Sequence, residues 1–272
     1  MKKILCILTC LLSFALAKEE RLVVLDPASI EIIYMLGAEE SIKGIASLQH
    51  SNIYPAEKTS KLESVGSFSN PSVEKILALE PSLVILSSYS LALEPRLKNL
   101  GVKTLYMEAS RLDDMYKNIE TLAKYLNKVK EGQALIAKTK KELEELSKSP
   151  LHKNAIFLFS SNPLMAFSDN SMIADILRLL GIENLTPKSD IQRPMISGEY
   201  ILDKDPDLLI IGLQATDIKA LVDQNPILKH TKAYKNNNLY VYEKVHTLLR
   251  ISPNITNSIK DFKTMLESKV KQ

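Results

Sequence analysis

Two stretches of this chain, 125 residues apart, share one pattern. Glu74-Lys-Ile-Leu-Ala-Leu-Glu-Pro-Ser-Leu-Val-Ile85 lies without a gap over Glu199-Tyr-Ile-Leu-Asp-Lys-Asp-Pro-Asp-Leu-Leu-Ile210, with Glu, Ile, Leu, Pro, Leu and Ile in common. Each copy reads as a short helix, a turn set by Pro, which cannot continue a helix, and a buried strand. The repeat therefore constrains the chain to two lobes of one α/β design.

The rest of the chain is punctuated in the same way. Arg21 to Leu25 is a short apolar run ending at Asp26-Pro27, and Ala28 to Leu36 follows with helical spacing and stops at Gly37. A helix, Gly, strand order recurs at Gly101 before Val102 to Met107, and Gly181 closes the helix that ends Leu177 to Leu180. Further strands are expected at Ser82–Leu86, Ala155–Phe159, Leu208–Ile211 and Leu239–Tyr242. Strands alternating with helices predict mostly parallel sheets. Between the copies, Leu112 to Leu146 predicts two helical parts, the second long and exposed and ending near Ser149-Pro150, a spine that limits hinge motion. The charged run Lys138 to Lys148 reads as its solvated face. The expected boundaries are a leader at 1–17, an N-terminal lobe at 18–111, a connecting backbone at 112–150 and a C-terminal lobe at 151–272.

The leader carries Lys2 and Lys3, an apolar run from Ile4 to Leu16, and Ala15-Leu16-Ala17, the features of a cleaved secretory signal. Its apolar run is short of the roughly 20 residues that span a bilayer, and Lys18-Glu19-Glu20 follow at once. A lipid anchor at Cys10 is the lesser reading, because Thr9 stands where a small residue belongs and the apolar run continues past the cysteine. Cleavage removes both cysteines, which excludes disulfide scaffolds, thiolate metal sites and cysteine nucleophiles. It also takes two lysines, so the formal charge of +3 falls to about +1 and no basic field points to nucleic acid. A composition of 45% hydrophobic and 25% charged residues argues against a disordered chain or a polytopic membrane protein. The mature chain is expected in the periplasm as a monomer.

Arg21-Leu-Val-Val-Leu-Asp-Pro-Ala-Ser-Ile-Glu-Ile-Ile-Tyr-Met-Leu-Gly37 and Val65-Gly-Ser-Phe-Ser-Asn-Pro-Ser-Val-Glu74 resemble the helical-backbone (class III) periplasmic binding proteins of ABC importers for siderophores, cobalamin and haem. The resemblance is most specific in the first lobe and covers nearly the whole mature chain. It implies two Rossmann-like lobes joined by a single long helix, with a ligand cleft between them. It also implies a surface carboxylate on each lobe that docks on arginines of an inner-membrane permease, here Glu74 and Glu199. A carboxylate pairs with Arg bidentately, so one on each lobe fixes both ends of a footprint. The bland reading of each is a helix-start acid favoured by the macrodipole.

The haem-binding members imply an axial Tyr in the loop after Ile85, where Leu86-Ser-Ser-Tyr89-Ser90 carries Tyr89. Phenolate is a hard anionic donor suited to ferric iron. Of the four His, His152 and His230 read as surface residues, whereas His50 and His246 stand in loops that can approach the cleft; His246 is the expected second metal ligand. Only six Arg accompany 29 Lys, and Arg193 and Arg250 fall in expected cleft loops of the second lobe. Their planar forks suit haem propionates, with Arg96 a weaker candidate. Met165, Phe167, Met195 and Leu248 can supply apolar contact or simply pack the core. The same arginines and Tyr89 would serve a ferric siderophore, while a corrin pocket is less favoured in a chain with no Trp and 6% aromatic residues.

An enzyme is not expected. The chain has no G-x-G-x-x-G, P-loop, G-x-S-x-G or H-E-x-x-H. Export as read here gives a mature protein whose first residue is Lys18. Intact-mass measurement of the exported protein checks this, and a lipid-modified species beginning at Cys10 would overturn it.

Overall fold

The computed structural model describes residues 20–49, 51–214 and 217–270; the leader and His50 lie outside the described residues. The first sheet contains β1 (Leu22–Val24), β2 (Ile42–Ser47), β3 (Ser64–Ser67), β4 (Asn70–Pro71), β5 (Leu83–Leu86) and β6 (Thr104–Tyr106), ordered β4-β3-β2-β1-β5-β6. All its pairings are parallel except β3 with β4. Helices α1 (Pro27–Met35), α2 (Ala56–Thr59), α3 (Val73–Ala78) and α4 (Glu94–Asn99) connect these strands. Then come α5 (Asp114–Tyr125) and α6 (Val129–Ser147), the two helical parts that the sequence predicts.

The second sheet contains β7 (Lys153–Ser161), β8 (Leu164–Ala166), β9 (Ile182–Asn184), β10 (Leu208–Gln214) and β11 (Leu239–Val241), ordered β11-β10-β7-β8 with β9 also on β7. Its helices are α7 (Met172–Leu179), α8 (Gly198–Lys204), α9 (Ile218–Gln224), α10 (Lys232–Lys235), α11 (Val245–Leu248) and α12 (Ile255–Val270). The fold is α/β, with mostly parallel sheets in two lobes. No helix among the described residues is long and apolar enough to cross a membrane.

Both sheets are buried on both faces, which is why their central strands read as unbroken apolar runs. Leu22, Val24, Leu83 and Ile85 face the same apolar body as Ala155, Phe157, Leu208 and Ile210 of the other sheet. Met115, Ile119 and Leu122 of α5, Leu143 of α6, Ile176 of α7 and Ile259 and Phe262 of α12 complete it. The alternate residues, Val23 and Val84 in one sheet and Ile156 and Leu209 in the other, pack under separate outer layers.

Polar ties reinforce this shared core. The Glu31 carboxylate is 1% exposed and accepts from Arg250 Nη1 at 2.8 Å, from the Tyr54 amide at 3.0 Å and from the Ser252 hydroxyl. Arg250 also donates to the Asn52 carbonyl at 2.7 Å and to Ser51 Oγ at 2.9 Å. On α7, Asp175 accepts from both Arg111 Nε, at 2.8 Å, and Arg111 Nη2. Burial opposes the charge of Asp175, but donors from Arg111, Leu112 and Arg178 outweigh it and hold the carboxyl below its ordinary 3.8. At the end of the spine, the buried Lys263 ammonium donates to the Leu146 carbonyl at 2.9 Å, satisfying one of the open carbonyls of a helix C-terminus.

Removing one partner of a buried ion pair strands the other. Glu31→Ala is expected to cost about 3–5 kcal/mol by chemical denaturation. A Glu31→Ala, Arg250→Ala double variant should cost less than the two single losses added.

Candidate functional site

In an open parallel sheet the ligand crevice lies beyond the carboxyl ends of the strands, where the strand order reverses. In the first sheet the chain steps from β1 towards β4 on one side and then to β5 and β6 on the other, so the crevice opens between the ends of β1 and β5. The reversal in the second sheet falls between β7 and β10.

The β1 end is Asp26, which is consumed as the cap of α1: its carboxylate accepts from the Ser29 amide at 2.8 Å and the Ser29 hydroxyl at 2.6 Å. Burial pushes its pKa up against those bonds. The β5 end is the loop that carries Tyr89. The Ser87 amide donates to Ser90 Oγ at 2.9 Å and the Ser90 amide returns to the Ser87 carbonyl at 3.1 Å. This tight turn presents Tyr89 outward, 60% exposed, with its ring 4.8 Å from that of Phe68 just beyond β3. Its hydroxyl has no hydrogen-bond partner among the described residues.

In the second sheet the unpaired cation is Arg193, which stands on the β8 side of β7, across β7 from the crossover. Segment 192–196 runs along β8 through bonds from the Ser168 amide to the Gln192 carbonyl, from the Ala166 amide to the Pro194 carbonyl and from the Ile196 amide to the Leu164 carbonyl. That pairing lays the Arg193 guanidinium over the Phe159 ring, 4.2 Å from its centroid, and 6.0 Å from that of Phe167. Such stacking holds a guanidinium flat while its N–H edge stays available. No carboxylate among the described residues pairs with it. Ile191 and Met195 beside it are 66% and 72% exposed.

The other sequence-derived candidates fare differently. Arg250 stands on its expected segment, but Glu31, Ser51 and Asn52 occupy it, and its side chain is 11% exposed. It bolts the two lobes and is not an available propionate contact, a correction that follows from the buried charge it must neutralise. Phe167 and Leu248 are fully packed and belong to the core. His246 is half-buried on α11, beyond the edge strand β11 and one strand away from the crossover. Among the described residues the ring contact of Tyr89 is with Phe68. His152 and His230 are exposed, as expected. Among the described residues no three His, Asp or Glu side chains gather as a metal-ion site.

Tyr89 is exposed and Arg193 half-buried. Two concavities form elsewhere: one of about 180 Å³ between the lobes, bounded by Glu31, Tyr54, Thr247, Arg250 and Asn254, and a groove of about 530 Å³ along edge strand β6. We place the candidate site at the carboxyl ends of the strands, because each lobe carries an unpaired polar side chain there, Tyr89 on one and Arg193 on the other, whereas in the smaller concavity Glu31 and Arg250 already pair with each other.

Glu74 and Glu199 occupy matching places. Each is the second residue of its helix, after a Ser cap that accepts from a backbone amide: Ser72 from Lys75 at 3.3 Å, and Ser197 from Tyr200 at 3.1 Å. Each carboxyl is held below its usual range, first by its own backbone amide and then by the capping hydroxyl. The repeat thus extends back to Ser72 and Ser197. It also extends to its turn, where Glu80 and Asp205, each before a Pro, are left-handed at φ 47° and 42°.

Periplasmic binding proteins as a family match this chain over residues 22–245. The chain belongs to that family. It is 29% identical over 219 residues to the vitamin B12-binding protein of Pectobacterium carotovorum, covering 77% of this chain and 78% of that one. The fold is shared with a possible iron-binding periplasmic solute-binding protein of Staphylococcus epidermidis, at TM-score 0.79 and 20% identity over 93% of this chain and 99% of that one. It is shared too with the periplasmic haem-binding protein of Roseiflexus, at TM-score 0.74 and 22% identity over 92% and 99% of the two chains. Each of these relatives is named for what it binds.

Side chains that make no buried hydrogen bond or ion pair contribute little to folding. Tyr89→Ala and Arg193→Ala should each shift stability by no more than about 1 kcal/mol, read from thermal or denaturant melts. A loss on the scale expected for Glu31→Ala would make either residue structural.

Proposed function

We propose that this periplasmic binding protein captures a metal complex in the cleft between its lobes and delivers it to an ABC permease, and that the complex is haem. The observation carrying this reading is one unspent group on each lobe, Tyr89 beyond β5 and Arg193 over the β7 residue Phe159. Tyr89 offers an unbonded phenol on an aromatic platform with Phe68, and Arg193 offers an unpaired guanidinium laid on Phe159. A planar macrocycle with ferric iron and propionates has a use for all four: iron for the phenolate, propionate for the guanidinium, and ring surface for the aromatics. His246 is retained as a second axial ligand, reached from α11. The chemistry is capture, with no turnover of the ligand.

A second reading has its own support. The curated relative at 29% identity is named for vitamin B12, and a corrinoid would use the same aromatic faces. Ferric siderophores share the anionic metal-complex chemistry that Tyr89 and Arg193 suit. In all three cases Glu74 and Glu199 would dock the loaded protein on the permease, and the matched Ser-capped geometry of the two residues supports that role.

An absorption titration of the mature protein with ferric haem, run beside cyanocobalamin and a ferric siderophore, separates the readings. Haem is expected to give a saturable Soret band, which Tyr89→Phe shifts while weakening binding by roughly tenfold or more, the scale of one lost bond to a charged group. Glu74→Ala with Glu199→Ala should leave the titration unchanged and impair uptake by cells. Saturable binding of cyanocobalamin or the siderophore with no haem binding would overturn the choice of ligand.

A further inference from the structure

The two docking carboxylates are built alike and then left in different states. Both follow a Ser cap, both open a short helix, and both are exposed. On the first lobe, Glu74 Oε2 accepts from Ser72 Oγ at 3.0 Å and Oε1 accepts from Arg96 Nη2 at 3.0 Å, so each oxygen already has a donor. Arg96 reaches it from α4, and this is the only ion pair Arg96 makes among the described residues. On the second lobe, the Glu199 carboxyl is held below its usual range by its own amide and the Ser197 hydroxyl, and no cation among the described residues pairs with it. The repeat acts as an internal control: cap, helix position and exposure agree, and Arg96 is the difference.

We propose that Arg96 is an intramolecular competitor for the cationic partner surface that Glu74 meets, so that docking begins at Glu199 and is completed at Glu74 only when Arg96 lets go. This rests on the docking role given above to Glu74 and Glu199. A guanidinium that grips a carboxylate side-on needs both oxygens, and one of those of Glu74 is held by a group of the same kind. The contact is light enough to be displaced. Arg96 and Glu74 are 61% and 75% exposed, and ion pairs so exposed contribute little. Arg96 therefore tunes the first-lobe contact without abolishing it. It also lessens attraction of the empty surface to other cations, since one of the two carboxylates is neutralised in advance.

The test uses full-length mature protein and its permease complex in nanodiscs, with affinity measured at low and high salt. Arg96→Gln is expected to tighten docking about two- to five-fold at low salt, and less as salt screens the charges. The gain should vanish when Glu74→Gln is also present, and Glu199→Gln should weaken docking more than Glu74→Gln does. Weaker or unchanged docking of Arg96→Gln, or a gain that persists with Glu74→Gln, overturns the proposal. Carboxyl NMR titration reads the pair without the permease: Arg96→Gln should raise the midpoint of Glu74 and leave Glu199 where it is, and no movement at Glu74 also overturns the proposal. If Glu74 moves but neither Glu74→Gln nor Glu199→Gln alters docking, the docking role itself fails, and competition fails with it while the pair stands.

Discussion

One apolar body, shared by the inner faces of both sheets, is the constraint on which the rest of this molecule depends. Phe157 and Ile210 of the second lobe and Val24 and Ile85 of the first drain into the same layer, bridged by side chains of α5, α6 and α12. Swinging one lobe away would expose that layer to water, at roughly 25 cal/mol for each Å². The lobes therefore hold their mutual position through buried contacts, and the side chains at their surface are left out of that packing.

That division explains why two arginines of the same loop-rich lobe have opposite roles. Arg250 is spent: its donors satisfy Glu31, Ser51 and Asn52, and taking them away would strand a charge inside the protein. Arg193 is unspent, oriented by the ring beneath it with its N–H edge uncommitted. A ligand that engages Arg193 breaks no existing bond and orders little that was not already ordered, so more of its interaction energy survives as affinity.

The parts legible in the sequence are those whose signal is local. The α3–β5 and α8–β10 units could be read because helical spacing, a Pro and a short apolar run follow one another within a dozen residues. The two parts of the spine were legible from the same spacing. Strands β3, β4 and β9 are no longer than β5 but hold Ser, Gly, Asn, Pro or Glu in place of an apolar run, so no local signal marks them. The Glu31–Arg250 tie joins residues 219 apart and no local pattern announces it. One hint was present: Ile30-Glu31-Ile32-Ile33 sets a carboxylate in a helix that is apolar all round, which signals a buried charge in need of a partner. That Tyr89 follows β5 could be read from strand order, but the ring it meets, Phe68, lies on another connection and no local pattern links the two. The leader and His50 lie outside the described residues.

The spine carries a further consequence, for how chains of this kind can change length. Helix α6 is gripped by α5 on one side and α7 and α12 on the other, with Thr256 bonded to Glu142 and Lys263 to the Leu146 carbonyl near its end. One residue added inside it would turn everything beyond by about 100° and advance it about 1.5 Å, unseating both grips together. Surface loops have no such register to keep. Gain and loss of residues among relatives should therefore gather in the connections around the cleft, leaving α6 as a fixed ruler between Glu74 and Glu199.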